Sequence, residues 1–300
     1  MDVGTNSTRL LVAEVAGGRV HELQRRTIVT RLGEGVDREG LLSDAAMERV
    51  FEACAQFREA IDAAGVERVV ALLTSAVRDA ANGAEFQHQL EQRFAFEART
   101  IPGEREAHLT YVGATAARPH EHPTMVLDIG GGSTEVVVGH GQEIDFFVST
   151  QLGSVRHTER HLHTDPPTPD ELAACRAAAR AELERAVPAE VRRRVQEGIA
   201  VAGTPTSFAA VELGLDPYDS DRVEGHRLTL AACERILAEL AALPVAERRQ
   251  VTGLHPDRAP TIVAGGAILA EAMRLFELGE IEVSERDILY GAAPEAARNA

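Results

Sequence analysis

The most informative segment of the sequence is Asp128-Ile129-Gly130-Gly131-Gly132-Ser133-Thr134-Glu135. The apolar run 125–127 precedes it and the valine run 136–138 follows it. This pattern predicts a short buried strand, a glycine turn and a second strand. Because glycine lacks a Cβ, such a turn can aim consecutive backbone N–H groups at one ligand. Carboxylates at both ends of the turn are typical of a site for phosphate and a divalent cation.

The same pattern occurs at the N-terminus. Asp2-Val3-Gly4-Thr5-Asn6-Ser7-Thr8-Arg9 aligns without gaps on residues 128–135, and each copy continues into an apolar run and a second glycine turn. Two copies predict two similar domains whose Asp-x-Gly turns grip one phosphorylated ligand in the cleft between them. The polar stretch 118–123 marks the boundary, which gives domains 1–120 and 121–300. The amphipathic tail 281–291 is expected to pack back on the first domain.

Charge and composition exclude several classes of protein. The net charge of −16 argues against a nucleic-acid binder, and the chain contains no lysine. P-loop kinases, Schiff-base enzymes and pyridoxal-phosphate enzymes each need a lysine and are therefore excluded. No bilayer-length apolar run and no signal peptide are present, so we expect a cytoplasmic protein without a membrane partner. Cys54, Cys175 and Cys233 fall in helical patterns and are predicted to be buried.

Further polar or glycine-containing turns follow predicted strands, where α/β proteins bind their ligands. The apolar run 69–73 leads into the polar loop 74–79, and the strand 199–202 leads into Gly203-Thr204-Pro205-Thr206-Ser207. Residues 261–266 are predicted to form another strand that ends in Gly265 and Gly266. Pro102-Gly103 opens a helix whose first turn carries two glutamates, Glu104 and Glu106.

These motifs, in this order, resemble those of the exopolyphosphatase/guanosine pentaphosphate phosphatase family of the actin-like ATPase superfold. The resemblance covers nearly the whole chain, through the runs 2–10, 74–80, 102–107, 128–135, 152–156, 202–207 and 283–287. It implies an α/β fold of two actin-like (ribonuclease H-like) domains. It also implies hydrolytic removal of the terminal phosphate of inorganic polyphosphate, with Mg²⁺ (or Mn²⁺) as cofactor.

The resemblance also implies a role for each matched residue. Glu106 is expected to be the general base that takes a proton from the attacking water. Asp128 and Glu135, with Asp2 as their counterpart in the other domain, are expected to hold the metal ion. Arg78 is expected to contact phosphate through its guanidinium. The backbone groups expected to hold phosphoryl oxygens are those of Gly4, Thr5, Asn6, Ser7, Gly130, Gly131, Gly132, Ser133, Gly203, Thr204 and Thr206.

Alternatives remain open at this stage. Guanosine pentaphosphate fits the same residues as a substrate. The fold also hosts sugar and acetate kinases and chaperone ATPases, which would require a nucleotide pocket near Gly265 and Gly266 and a different base. A third class is a polyphosphate or nucleotide sensor without turnover, against which Glu106 argues. For Asp2, a structural hydrogen-bonding role competes with metal ligation.

Two departures from the family pattern affect the expectations. Only Met1 precedes the first Asp-x-Gly, where family members carry several apolar residues, so we expect a shortened first strand or a start further upstream. Long members carry additional C-terminal helical domains, and we expect this chain to be a short two-domain form without them. The spare helical surface of such a short form favours a homodimer.

Overall fold

The chain folds into two units, as described by a computed structural model of residues 1–116, 118 and 122–298. Unit 1 comprises Met1–Gly113 and the C-terminal segment from Ile288 onward, and unit 2 comprises Ala114–Asp287. The boundary predicted between residues 120 and 121 lies outside the described residues. Among those described, no helix is both long and apolar enough to cross a membrane.

Unit 1 is built on a five-stranded sheet in the order β3-β2-β1-β4-β5. Strands β1, β2 and β3 pair antiparallel, whereas β4 lies parallel to β1 and β5 lies parallel to β4. The strands are β1 (Asp2–Val3), β2 (Ser7–Ala16), β3 (Arg19–Val29), β4 (Val70–Leu73) and β5 (Glu97–Thr100). The helices of this segment are α1 (Val36–Glu39), α2 (Asp44–Ala63), α3 (Ser75–Asp79), α4 (Gly83–Phe94) and α5 (Gly103–Thr115).

Helix α2 shows how the local sequence sets these elements. Its predicted N-cap is confirmed, since the Ser43 hydroxyl accepts a hydrogen bond from the Ala46 amide at 3.2 Å. Apolar side chains at helical spacing then turn one face of α2 into the core of unit 1, as predicted. These buried residues include Val50, Phe51, Cys54, Phe57 and Ile61.

Unit 2 repeats the sheet of unit 1 and adds one edge strand. Its order is β10-β11-β9-β6-β7-β8. The strands β6, β7, β8, β9 and β11 have the same neighbours and the same directions as β1 to β5, and β10 pairs antiparallel with β11. Their bounds are β6 (Thr124–Ile129), β7 (Thr134–His140), β8 (Glu143–Thr150), β9 (Glu197–Val201), β10 (Arg227–Thr229) and β11 (Glu280–Val283). The repeat seen in the sequence therefore corresponds to a repeated sheet topology.

Helices cover the sheet of unit 2. They are α6 (Ser154–His161), α7 (Pro169–Ala186), α8 (Ala189–Arg192), α9 (Gly203–Leu213), α10 (Ser220–Val223), α11 (Leu230–Ala241), α12 (Val245–Arg248) and α13 (Ile262–Leu275), with a 3₁₀ turn at Pro256–Arg258. The predicted capping box of α7 is confirmed, because Thr168 and Glu171 each accept the other's backbone amide. Cys175 in α7 and Cys233 in α11 are free and buried, as is Cys54 in α2.

Helix α13 corrects the prediction of a strand at residues 261–266. A continuous apolar run fits either a buried strand or a buried helix, and here the run is helical. A Cβ on Gly265 would overlap the Thr204 side chain, and a Cβ on Gly266 would overlap the Phe208 ring. The two glycines therefore serve close packing of α13 against α9 and do not end a strand. Thr204 and Phe208 occupy the space over these glycines, where the kinase alternative would require a nucleotide pocket.

The last helix, α14 (Ile288–Arg298), belongs to unit 1. Ile288 and Leu289 join a buried cluster with Leu72 and Leu109, and Gly291 lies directly against the Leu109 carbonyl. At the surface of α14, Tyr290 forms a hydrogen bond with Glu22 and Arg105 forms an ion pair with Glu295. The C-terminal segment therefore completes the packing of unit 1.

Candidate functional site

Three segments of unit 1 gather at one edge of its sheet. Strands β1, β4 and β5 are parallel, so their carboxyl ends point the same way. The Gly4–Ser7 turn follows β1, helix α3 follows β4, and helix α5 follows β5. The Thr5 hydroxyl accepts a hydrogen bond from the Ala76 amide of α3 at 3.2 Å, which ties the turn to the start of that helix. This edge is where the sequence placed its functional residues in the first domain.

Glu106 and Arg78, predicted separately, lie in direct contact. The Arg78 Nη1 donates to Glu106 Oε2 at 3.1 Å and to the Ile101 carbonyl at 2.9 Å. Glu106 is buried in the first turn of α5, and Arg78 reaches it from α3. The guanidinium therefore orients the carboxylate that is expected to act as base. The same contact engages the arginine that was expected to bind phosphate.

The turn of unit 1 has its carbonyl groups held by a neighbouring loop. The Gly4 amide donates to the Ser7 carbonyl at 3.0 Å. The Thr5 carbonyl accepts from the Gly33 amide at 2.8 Å, and the Asn6 carbonyl accepts from the amides of residues 30 and 31. In a trans peptide the N–H points opposite to the preceding C=O, so the Asn6 amide faces away from this loop. Within the part of the chain that the structure describes, the Thr5 and Asn6 amides have no acceptor.

Asp2 is buried and forms a salt bridge with Arg9. The two residues are opposite each other on β1 and β2, and the Asp2 Oδ2 accepts from the Arg9 Nε at 2.8 Å and from Nη2 at 2.6 Å. This geometry supports the structural alternative for Asp2, because the carboxylate is neutralised within its own sheet. Metal ligation by Asp2 remains a prediction.

The turn of unit 2 has the same backbone bond and a different support. The Gly130 amide donates to the Ser133 carbonyl at 3.0 Å, so that amide is engaged in the turn. The start of α6 then holds the turn from one side through the Gly130, Gly131 and Gly132 carbonyls. The described residues supply no acceptor to the amides of Gly131, Gly132 and Ser133. Three consecutive amides without an acceptor among the described residues match the arrangement expected of an anion cradle, and their binding of phosphate remains a prediction.

Asp128 and Glu135 face each other across β6 and β7, at the ends of the glycine turn. Both are buried, and the Ser149 hydroxyl donates to Glu135 Oε1 at 2.7 Å. Two carboxylates in register fit a hard cation such as Mg²⁺, which commonly takes one or two protein carboxylates and completes its shell with water and phosphate. The described residues contain no group of three or more His, Cys, Asp or Glu placed to hold a metal ion. Binding of Mg²⁺ by Asp128 and Glu135 remains a prediction.

The third turn predicted to bind phosphate, Gly203–Thr206, starts α9. It lies beside the end of β6, since β9 runs parallel to β6. Ala202 precedes it with a φ of 71°, a strained conformation for a residue with a Cβ. The Thr206 amide and hydroxyl both donate to the Ala202 carbonyl, so the hydroxyl is used within the helix. The Arg258 guanidinium lies against Gly203, where a Cβ would overlap it. Arg258 was not predicted as a site residue. Its contact with Gly203 joins segments far apart in the sequence, and no local pattern indicates it.

His157, on the second turn of α6, is buried without a hydrogen-bond partner for either ring nitrogen among the described residues. Burial lowers the pKa of His157 to about 4, and the positive charges of His161, Arg160 and Arg156 act in the same direction. A neutral imidazole is therefore packed in the helix that supports the glycine turn.

The repeated topology and the paired turns define the class of the protein. Each unit has the strand order 3-2-1-4-5 of an actin-like (ribonuclease H-like) domain, with a glycine turn after its first strand. The protein is a two-domain member of the actin-like superfold, as expected from its sequence.

The comparisons then give the family. The model of the Ppx/GppA phosphatase family matches residues 11–293, and the chain belongs to this family. It is 35% identical to exopolyphosphatase 2 of Mycobacterium tuberculosis over 98% of this chain and 96% of that protein. The crystal structure of an exopolyphosphatase-like protein matches with a TM-score of 0.91 at 32% identity, covering 100% of this chain and 98% of the other. An exopolyphosphatase from Cytophaga hutchinsonii matches with a TM-score of 0.88 at 26% identity, over 100% and 97% of the two chains.

Proposed function

We propose that this protein is an exopolyphosphatase that hydrolyses the terminal phosphoanhydride bond of inorganic polyphosphate. The observation that carries the proposal is the buried Glu106, oriented by Arg78 at the sheet edge that also carries the Gly4–Ser7 turn. Membership of the Ppx/GppA phosphatase family and the likeness to proteins named exopolyphosphatase support the reaction class.

In the proposed reaction, Glu106 takes a proton from a water molecule as the water oxygen attacks the terminal phosphorus. A new P–O bond forms, the anhydride P–O bond breaks, and the shortened polyphosphate leaves with the bonding electrons. The backbone amides of Gly131, Gly132 and Ser133 donate to phosphoryl oxygens and stabilise their developing charge. Asp128 and Glu135 would hold Mg²⁺, which neutralises phosphate charge when bound.

The test compares Glu106→Gln with the control Glu104→Gln. Glu104 is an exposed glutamate in the same helical turn as Glu106. Phosphate release would be measured with Mg²⁺ from long and short polyphosphate, guanosine pentaphosphate and ATP. We expect Glu106→Gln to lower kcat on polyphosphate by about 10²–10⁴-fold, the usual contribution of a general base. Glu104→Gln should match the wild type, because that side chain points to solvent.

Two outcomes would overturn parts of the proposal. A wild-type preference for guanosine pentaphosphate would keep the chemistry and change the substrate. No release from any of the four compounds, or a Glu106→Gln protein as active as the wild type, would refute hydrolysis with Glu106 as base and favour a sensor without turnover.

A further inference from the structure

The carbonyl groups of the three glycines in the unit 2 turn, Gly130, Gly131 and Gly132, are held by residues 154–156. The Ser154 amide donates to the Gly130 carbonyl at 2.9 Å, and the Val155 and Arg156 amides donate to the Gly131 carbonyl at 2.9 and 3.2 Å. The Gly132 carbonyl accepts from the Arg156 side chain, through Nε, at 2.8 Å. The three glycine carbonyl oxygens are thus fixed on the α6 side.

This fixation decides where the amides of the turn point. In a planar trans peptide the carbonyl and the following N–H are antiparallel. When α6 binds the carbonyls of Gly131 and Gly132, the amides of Gly132 and Ser133 must face the opposite side. Those amides are the proposed donors to phosphate. The peptide plane between Gly132 and Ser133 depends on Arg156, because its side chain holds the carbonyl of that peptide.

Unit 1 solves the same problem without a charged side chain. There the carbonyl of Asn6, which aligns with Gly132, accepts from the backbone amides of Thr30 and Arg31 at 3.0 and 2.9 Å. In unit 2 the Gly132 carbonyl instead accepts from the guanidinium of Arg156, a residue that is only 9% exposed. A buried cation directly behind the turn also adds positive potential on the side where an anion would bind.

We propose that Arg156 is a positioning residue for phosphate binding. It orients the Gly132–Ser133 peptide so that the Ser133 amide meets the phosphoryl group, and it contributes positive potential through the turn. The inference rests on the proposed function for its ligand, an inorganic phosphoryl group. The orientation of the peptide is a property of the protein alone.

The experiment compares Arg156→Met, Arg156→Lys and the control Arg176→Gln. Methionine keeps the length of the chain and removes the donor and the charge, whereas lysine keeps both a donor and the charge. Arg176 lies in the same unit and forms ion pairs with Glu234 and Glu271 on helices α11 and α13. Its replacement should lower the melting temperature without changing the glycine turn. Three readouts are collected: the dissociation constant of inorganic phosphate, kcat and KM on polyphosphate, and the amide NMR signals of Gly132 and Ser133 in ligand-free protein.

We expect Arg156→Met to weaken phosphate binding and lower kcat/KM by at least about tenfold, as for the loss of a buried charge-assisted hydrogen bond. The Gly132 and Ser133 amide signals should shift in Arg156→Met and not in Arg176→Gln, and lysine should recover part of the affinity. If Arg156→Met fails to fold, Arg156→Lys decides by the same readouts. Its Gly132 and Ser133 amide signals should then shift from those of the wild type, and its phosphate affinity should be lower than that of the wild type.

Unchanged amide signals together with a phosphate dissociation constant within about twofold of wild type would overturn the inference and make Arg156 a purely structural residue. A wild-type protein that binds phosphate but releases none from polyphosphate would refute the proposed function only. In that case the amide signals and the phosphate affinity still decide the role of Arg156.

Discussion

The two glycine turns share one backbone geometry and carry opposite charges beside it. In each turn the first glycine amide donates to the serine carbonyl at 3.0 Å, and a Cβ on that glycine would lie 3.1 Å from the same oxygen. On the neighbouring strand, Arg9 lies opposite Asp2 in unit 1, whereas Glu135 lies opposite Asp128 in unit 2. One side chain therefore decides whether the aspartate is neutralised by a salt bridge or joined by a second carboxylate that can share a cation.

The segments that bind the carbonyl groups of the two turns also differ. Unit 1 uses backbone amides from the loop 30–33, and unit 2 uses helix α6 with the Arg156 guanidinium. The turn itself is a common scaffold, since the hydrogen bond within it is the same in both copies. The chemistry of each copy is set by what its neighbours present to it.

The largest expected effect comes from removing the charge opposite each aspartate. Glu135→Gln should lower phosphate release at limiting Mg²⁺ by at least about 100-fold, with partial recovery at high Mg²⁺, because a bound metal supplies several kcal/mol of charge stabilisation. Arg9→Gln should lower the free energy of unfolding by about 3–5 kcal/mol, because it removes the guanidinium from a buried carboxylate. Magnesium titrations of activity and urea denaturation distinguish the two. An identical shift of the Mg²⁺ requirement in both variants would contradict the division of roles.

A second effect concerns the glycines that let each support approach its turn. A Cβ on Gly153 would overlap the Gly131 carbonyl, whereas a Cβ on Gly33 would overlap the Thr5 side chain at Cγ2. Either alanine substitution should lower the free energy of unfolding by about 1–3 kcal/mol, the range for overpacking. Adding Thr5→Ser should restore stability to Gly33→Ala, because it removes the overlapping methyl group. The overlap at Gly153 is with the Gly131 backbone carbonyl, which no substitution can remove, so no equivalent rescue exists for Gly153→Ala.

Gly279→Ala is the matched control, since nothing lies within 4 Å of a Cβ at that glycine. It should be close to neutral in urea denaturation. Equal stability losses in Gly279→Ala and Gly153→Ala would show that the loss reflects glycine replacement in general and not the overlap with the turn.

A third effect, confined to acid pH, is a pH dependence carried by the support in unit 2. The pKa of His157 is lowered from an ordinary 6.5 to about 4, chiefly by burial. Between these values the unfolded chain binds more protons than the folded chain, so stability falls as the pH falls. The contribution should amount to about 2 kcal/mol between pH 7 and pH 5. The charges of His161, Arg160 and Arg156 also lower the pKa of His157, and that of Glu182 raises it.

His157→Leu should remove this component. Urea denaturation of the wild type and the variant at pH 7 and pH 5 measures it, with the variant losing about 2 kcal/mol less over that interval. A variant whose stability falls with pH as steeply as the wild type would place the acid sensitivity at other groups.

The sequence predicted elements well where the signal was local. Helix caps such as Ser43 and Thr168 depend on residues three positions apart, and the glycine turns and the strands beside them are also short-range patterns. The strand expected at 261–266 was wrong because its apolar run has no period that separates a buried helix from a buried strand.

The candidate site was predicted residue by residue but not as an arrangement. Glu106 and Arg78 were both named, yet their ion pair joins helices that follow different strands. The contact of Arg258 with Gly203 likewise depends on packing of distant segments. The contrast between Arg9 and Glu135 was visible in the aligned repeats. Its meaning required the strand register, which shows that each faces an aspartate.

The placement of α14 in unit 1 has a consequence for synthesis of the chain. Ile288 and Leu289 belong to the same buried cluster as Leu72, so unit 1 lacks part of its packing until the segment from Ile288 onward has left the ribosome. Unit 2 is continuous and has all its residues by Asp287. Unit 2 can therefore complete its packing before unit 1, although N-terminal domains generally fold first during translation.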